Sequence, residues 1–151
     1  MNSNRRNAPS SKNVTAEEAI ARLKNGSRVF IGSGCGEPQH LIHTMVANPQ
    51  LQDIMLFQML SFTFERYLRD PDFLNRFSLK LFFVTISMRQ AAFEGKIDYI
   101  PVYLSEIPRL FRNRQIILDA ALIQISPPDR FGLASLGLSV YWIFAVMILD
   151  Y

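Results

Sequence analysis

Residues 30 to 42, FIGSGCGEPQHLI, gather the side chains of this 151-residue chain whose types and spacing most invite chemistry. Gly32, Gly34 and Gly36 form a G-x-G-x-G run behind a short apolar segment and ahead of a helix-like one, the setting of a dinucleotide phosphate cradle. The fingerprint is incomplete, because Glu37 stands where its third glycine is missing. An acid at a helix start already satisfies the positive end of the helix dipole and repels a pyrophosphate. A P-loop would also need a lysine here, and there is none. Two readings of the loop remain: glycines that merely permit a tight turn with positive φ, or bare backbone that a bound thioester or carboxylate approaches.

The neighbouring candidates are less specific. Cys35, near a helix N-terminus, occupies a setting that can make a thiol nucleophilic, although a small buried residue in a turn is the commoner role. His40 and His43 lie three apart and share a helix face, but no third ligand has suitable spacing for zinc. Glu106 in LSEIP reads as a helix-start carboxylate and Arg89 as a solvated helix residue. No metal and no tightly bound cofactor is expected.

These residues need elements to position them. Thr15 and Glu18 have capping-box spacing, Ala16, Ala19, Ile20 and Leu23 follow a helical period, and Gly26 stands where a helix C-terminal glycine would. RVFI, Arg28 to Ile31, predicts a buried strand running into the glycine loop. Pro38 suits the first position of a second helix, with Leu41, Ile42, Met45 and Val46 as its buried stripe, ending before Asn48 and Pro49. IMLFQML (Ile54 to Leu60), LKLFFV (Leu79 to Val84) and AALIQI (Ala120 to Ile125) are continuous apolar runs, the pattern of strands covered on both faces. Phe62 to Phe77 is aromatic and irregular, helical in part. Ser87 is placed to cap a helix through Arg89, Ala92 and Phe93 that Gly95 closes, and Ser105 to cap another through Leu110 and Phe111. Alternation at this spacing predicts an α/β fold, an open, mostly parallel sheet flanked by helices.

In such a sheet, ligands bind beyond the carboxyl ends of the strands. Position alone therefore selects three loops: Gly32 to Pro38, Ile86 to Arg89, and Ser126 to Gly132. The bulk composition agrees with one core, since 49% of the residues are hydrophobic and 19% charged. Sixteen basic against 13 acidic residues leave +3. Part of the surplus is Arg5, Arg6 and Lys12 in a polar leader, too scattered a charge to argue for nucleic acid. The leader MNSNRRNAPSSKN has no apolar h-region behind it. With one cysteine and no secretory signal, the expected location is cytoplasmic.

Three blocks then carry a resemblance: VTAEEAIARLKNGSRVFIGSGCGEPQHLI, RQAAFEGKIDYIPVYLSEIPRLF and DAALIQISPPDRFGLASLGLSV. In this order they resemble the acetyl-CoA hydrolase/transferase family of the CoA-transferase superfamily, over residues 14 to 140; residues 50 to 80 contribute little. The resemblance implies a two-domain enzyme with both halves on one α/β plan and the active site in the cleft between them. Members move coenzyme A between an acyl-CoA and a free carboxylate such as acetate, or hydrolyse acyl-CoA. A glutamate attacks the thioester, giving an acyl-glutamyl anhydride and then a glutamyl-CoA thioester.

That glutamate and most CoA-binding loops belong, by resemblance, to the second domain, so no catalytic residue is assigned here and the chain alone is expected to be inactive. Gly34, Cys35, Gly36, Glu37 and Pro38 are expected to line the cleft from the first-domain side. Gln39 and Ser126, Pro127, Pro128 and Asp129 complete the wall. The expected partners are acyl-CoA, a small carboxylate, the second domain and a further copy of the chain. After SLGLSV the family continues with an aspartate and a small-residue helix, whereas here YWIFAVMILDY follows. This divergent apolar tail, 141 to 151, reads as a frameshifted or truncated end, or else as a last element packed on the core. It is shorter than the about 20 residues that cross a bilayer. The alternative to an enzyme half is a non-catalytic α/β remnant or interaction module.

Overall fold

The computed structural model describes residues 13–137; the expected tail and all of the leader but Asn13 lie outside the described residues. Five strands form one sheet: β1 (Arg28–Ile31), β2 (Ile54–Gln58), β3 (Phe77–Leu81), β4 (Asp98–Tyr99) and β5 (Ala120–Leu122). Their order is β4-β3-β2-β1-β5, with every neighbouring pair parallel. Helices α1 (Ala16–Ile20), α2 (Gln39–Ala47), α3 (Pro71–Arg76), α4 (Arg89–Phe93) and α5 (Ile107–Arg112) flank the sheet.

The apolar runs are continuous because both faces are covered. Val29 and Ile31 of β1 join Leu56, Leu79 and Leu81 in a core completed by Ile20, Ile42, Met45 and Phe73 from α1, α2 and α3, with Ala91 and Ala92 of α4 packed against it. Phe30, Phe57, Phe82, Ile107 and Phe111 form a separate core under α5. Right-handed crossovers explain the division. The chain steps from β1 to β4 in one direction, which keeps α2, α3 and α4 on one face. It then returns to the far side of β1, which puts α5 on the other.

Local chemistry sets the helix starts. Thr15 and Glu18 make the expected capping box, with the Glu18 amide donating to Thr15 Oγ1 and the Thr15 amide to Glu18 Oε2, both at 3.1 Å. Asp70 caps α3 through the Asp72 amide, and Pro71 opens that helix, where its missing N–H costs nothing. Arg76, buried at the end of α3, donates to the carbonyls of Val46 (3.0 Å) and Asn48 (2.9 Å) and so closes the C-terminal end of α2.

Several boundaries differ from expectation. The first helix stops at Ile20 because i→i+3 bonds take over, Arg22 to Ala19 and Leu23 to Ile20. Gly26, at φ +80°, serves the turn into β1 instead of the helix end. Pro38 is the N-cap of α2, one position outside it. β2 ends at Gln58, β3 spans Phe77–Leu81 and β5 ends at Leu122, so the apolar runs overshoot the pairing. Neither Ser87 nor Ser105 caps a helix: both lie inside 3₁₀ turns, Ile86–Met88 and Leu104–Glu106, that lead into α4 and α5.

Candidate functional site

The strand order reverses at β1, which has β2 on one side and β5 on the other. That switch point leaves a crevice at the carboxyl ends of β1 and β5, since α2, which follows β1, and α5, which leads into β5, lie on opposite faces.

The glycine loop forms one wall. Gly32 extends β1 by donating to Leu122 at 2.8 Å, and Ser33 Oγ accepts the Met59 amide at 3.0 Å. A Cβ on Gly32 would lie 2.8 Å from the Gly36 carbonyl oxygen, so the loop folds back on itself only because this residue has none. Gly34 follows at φ +60°, where L side chains are strained. Gly34–Gly36 is a single 3₁₀ turn. The amides of Gly34, Gly36 and Glu37 donate to Leu60, Ser33 and Gly34. A phosphate cradle needs such N–H groups free and convergent. Here they are already used, which removes the dinucleotide reading.

Glu37 does not cap a helix dipole. Its carboxylate is buried and accepts from Gln58 Nε2 (2.7 Å), the Phe62 amide (3.0 Å) and Thr63 Oγ1. Gln58, fully buried at the end of β2, also donates to the Gly32 carbonyl at 3.0 Å. Its Oε1 is the one buried side-chain atom left without a partner among the described residues. The network ties the glycine loop to the segment after β2. Burying a carboxylate is tolerable only when donors surround it in this way.

The opposite wall is the segment after β5. Ser126 and Ser135 close it, the Ser126 amide donating to the Ser135 carbonyl and the Ser135 amide to Ser126 Oγ, both at 2.9 Å. Asp129 staples the interior: its Oδ1 accepts the amides of Phe131 (2.8 Å) and Leu133 (2.9 Å). With Pro127 and Pro128 fixing φ, the segment is held by its own bonds although nearly all of it is exposed.

Between the walls is a hollow of about 380 Å³, lined by Cys35 and Gly36 on one side and by Gln124, Ser126, Pro127 and Ser135 on the other. The structure thus brings together four residues expected in the cleft: Cys35, Gly36, Ser126 and Pro127. Gly34, Glu37, Pro38, Gln39, Pro128 and Asp129 fall outside this lining. Cys35 is exposed, not buried as its place in a turn suggested. Among the described lining residues, Cys35 carries the one ionisable side chain. Gln124 and Ser135 also line the hollow but escaped sequence reasoning, as did Gln58; a lone glutamine inside the apolar run IMLFQML is the signal that could have found the last.

The other candidates disperse. Among the described residues, no group of three or more His, Cys, Asp or Glu could hold a metal ion. His40 is exposed, while His43 is bonded to Tyr67 Oη (2.6 Å) and lies 3.2 Å from an Arg66 nitrogen. The Ile86 to Arg89 loop does not line this hollow.

A parallel sheet with this switch-point crevice has the first-domain architecture of CoA transferases. It aligns with RipA from Yersinia pestis at a TM-score of 0.71 and 24% identity, over 82% of this chain and 31% of that one. A 4-hydroxybutyrate CoA-transferase from Porphyromonas gingivalis matches at a TM-score of 0.61 and 25% identity, over 88% of this chain and 30% of that one. Residues 1–148 match the acetyl-CoA hydrolase/transferase N-terminal domain, and the chain belongs to that family.

Among sequence relatives, a succinyl-CoA:acetate/propanoyl-CoA:succinate CoA transferase from Fasciola hepatica is 39% identical over 82% of this chain and 26% of its own length. A 4-hydroxybutyrate coenzyme A transferase from Clostridium kluyveri is 33% identical over 85% of this chain and 30% of its own. The chain therefore spans less than a third of the length of these relatives.

Proposed function

We propose that this chain supplies the first-domain wall of a CoA-transferase site, with acyl-CoA and a small carboxylate such as acetate as substrates. The observation that carries this reading is the hollow at the switch point, where the described residues set the glycine loop's Cys35 and Gly36 opposite the hydroxyl-bearing Ser126 and Ser135. The attacking glutamate comes from a second domain. Its carboxylate oxygen adds to the thioester carbonyl, and the tetrahedral intermediate expels CoA thiolate, leaving an acyl-glutamyl anhydride. The thiolate then attacks the glutamyl carbonyl, releases the acyl group as a carboxylate and leaves glutamyl-CoA. The incoming carboxylate reverses both steps. Neither step consumes a proton or an oxidant, so the first domain need only position the thioester and exclude water.

A second observation supports an added domain. Every loop at the carboxyl edge of β2 to β5 exposes large apolar side chains: Phe62 after β2, Phe83 and Ile86 after β3, Tyr103 after β4, Phe131 and Leu133 after β5. Exposed apolar side chains gathered at one edge of the sheet are expected beneath a partner.

Mixing separates the possibilities. Acetate-dependent CoA transfer is assayed with the chain alone and with a purified carboxyl-terminal domain of a close relative. Transfer is expected only in the mixture. Activity of the chain alone would overturn the assignment of the nucleophile to a second domain. Inactivity of a demonstrably folded and bound mixture would favour a non-catalytic module.

A further inference from the structure

The two edges of the sheet differ in kind. β4 is blunted as free edges in natural sheets are: it is two residues long, carries Asp98, has Lys96 just ahead of it and is followed closely by Pro101. β5 has no such protection. From Ile116 to Pro128 the one charged residue is Asp119, whose carboxylate accepts the Arg28 amide at 2.7 Å. The Leu122 carbonyl accepts the Gly32 amide at 2.8 Å, so the backbone groups of Leu122 face β1. Successive residues of a strand alternate, and Ala121 and Ile123 therefore turn their N–H and C=O groups away from β1, to the open edge. No strand among the described residues lies beyond that edge. Ala121 is exposed there, and Ile117 and Ile125, before and after the strand, are 52% and 48% exposed. An uncharged strand edge with unmet backbone groups is a template for another strand.

We propose that a second copy of this chain pairs at this edge, β5 against β5, antiparallel about a two-fold axis through Leu122. Ala121 then faces the partner's Ile123, and Ile123 faces the partner's Ala121, each pair exchanging both N–H···O bonds as directly opposed residues of an antiparallel ladder do. A small side chain meets a large one in each pair. Asp119 comes opposite the partner's Ile125, so no like charges meet across the joint. A copy brings an edge of matching length and composition, and the contact is isologous, using the same patch on both chains. Because β4 is blunted, pairing stops at two chains and does not propagate. One continuous sheet then runs through both chains, with its halves in opposite directions, and the two hollows open at opposite ends of it. The joint is a single short strand on each side, which makes the dimer weak, with a dissociation constant on the order of 10 μM.

Sedimentation velocity on the 151-residue chain, over a low- to high-micromolar series, is expected to show a monomer passing into a dimer and nothing larger. Amide exchange followed by NMR over the same series is expected to slow at Ala121 and Ile123, while Leu122, which faces β1 in either state, keeps its rate. Ala121→Lys, at an exposed position and checked for unchanged melting of the monomer, plants a charge at the joint and weakens the dimer by about tenfold or more. A dimer lost in Ala121→Lys, with protection that follows concentration, supports the pairing. A monomer at every concentration, with both amides exchanging freely, overturns it. Both amides protected in a monomer also overturn it, because the chain's own residues then cover the edge. So does a dimer that Ala121→Lys leaves intact, which uses another face, and so do species that grow past two chains.

Discussion

Glu37 looks, on paper, like a cleft acid, yet its carboxylate is spent on three donors inside the protein. Glu37→Ala strands those donors in the core at about 1–3 kcal/mol for each left unmet. Urea denaturation is expected to show a marked fall in midpoint, with Glu37→Gln intermediate because it keeps the shape but loses acceptor capacity. Gly32→Ala drives a methyl against the Gly36 carbonyl, a backbone atom that cannot rotate aside. That overpacking costs about 1–3 kcal/mol, read by the same method. The hydrogen bond from Lys96, then that from Gln90, holds the Glu94 carboxyl below the ordinary carboxylate range. A carboxyl depressed in the folded state stabilises above its unfolded pKa, and the gain disappears as pH falls through the folded value. Melting temperature followed across the acid range is therefore expected to decline slightly less in Glu94→Gln. The residue types of the glycine loop were legible in the chain; the inward turn of Glu37 was not, because its partners Gln58, Phe62 and Thr63 reach it only once β1 and β2 have paired.

At the scale of elements, the junction between α2 and α3 depends on Arg76, whose guanidinium serves two carbonyls at the end of one helix and Asp72 on the other. Arg76→Ala leaves those carbonyls without a donor. A loss of about 1.5–3 kcal/mol is expected from the charge-assisted bonds, measured by thermal unfolding. Asp70→Ala removes the α3 cap, at about 1 kcal/mol. Elements whose signals are local were legible, among them the Thr15 capping box and the RVFI strand. Their ends were not. LKLFFV continues past β3 because Phe82 is buried against Phe111 of α5, with ring centroids 6.1 Å apart, and burial there follows packing instead of strand pairing. Ser87 and Ser105 look like caps, but 3₁₀ turns preceding α4 and α5 take up the chain first.

For the whole molecule, the sheet separates two cores, and the smaller depends on Phe111, edge-on to Phe30 at 5.8 Å and to Phe82. Phe111→Ala is expected to cost about 3–5 kcal/mol in a denaturant series. If a second domain covers the apolar rim, amide exchange around Ile86, Tyr103 and Phe131 slows when that domain is added; unchanged exchange at all three argues against coverage. The chain's own residues determined the parallel α/β plan, since apolar period, caps and turn residues act over a few positions. They also determined the family, through the order of three motif blocks. Only the tertiary structure decided where the hollow lies and which residues face it. The return of the chain from β4 to the open side of β1 sets Ser126 and Ser135 opposite Cys35, a meeting of distant segments that short-range spacing does not encode.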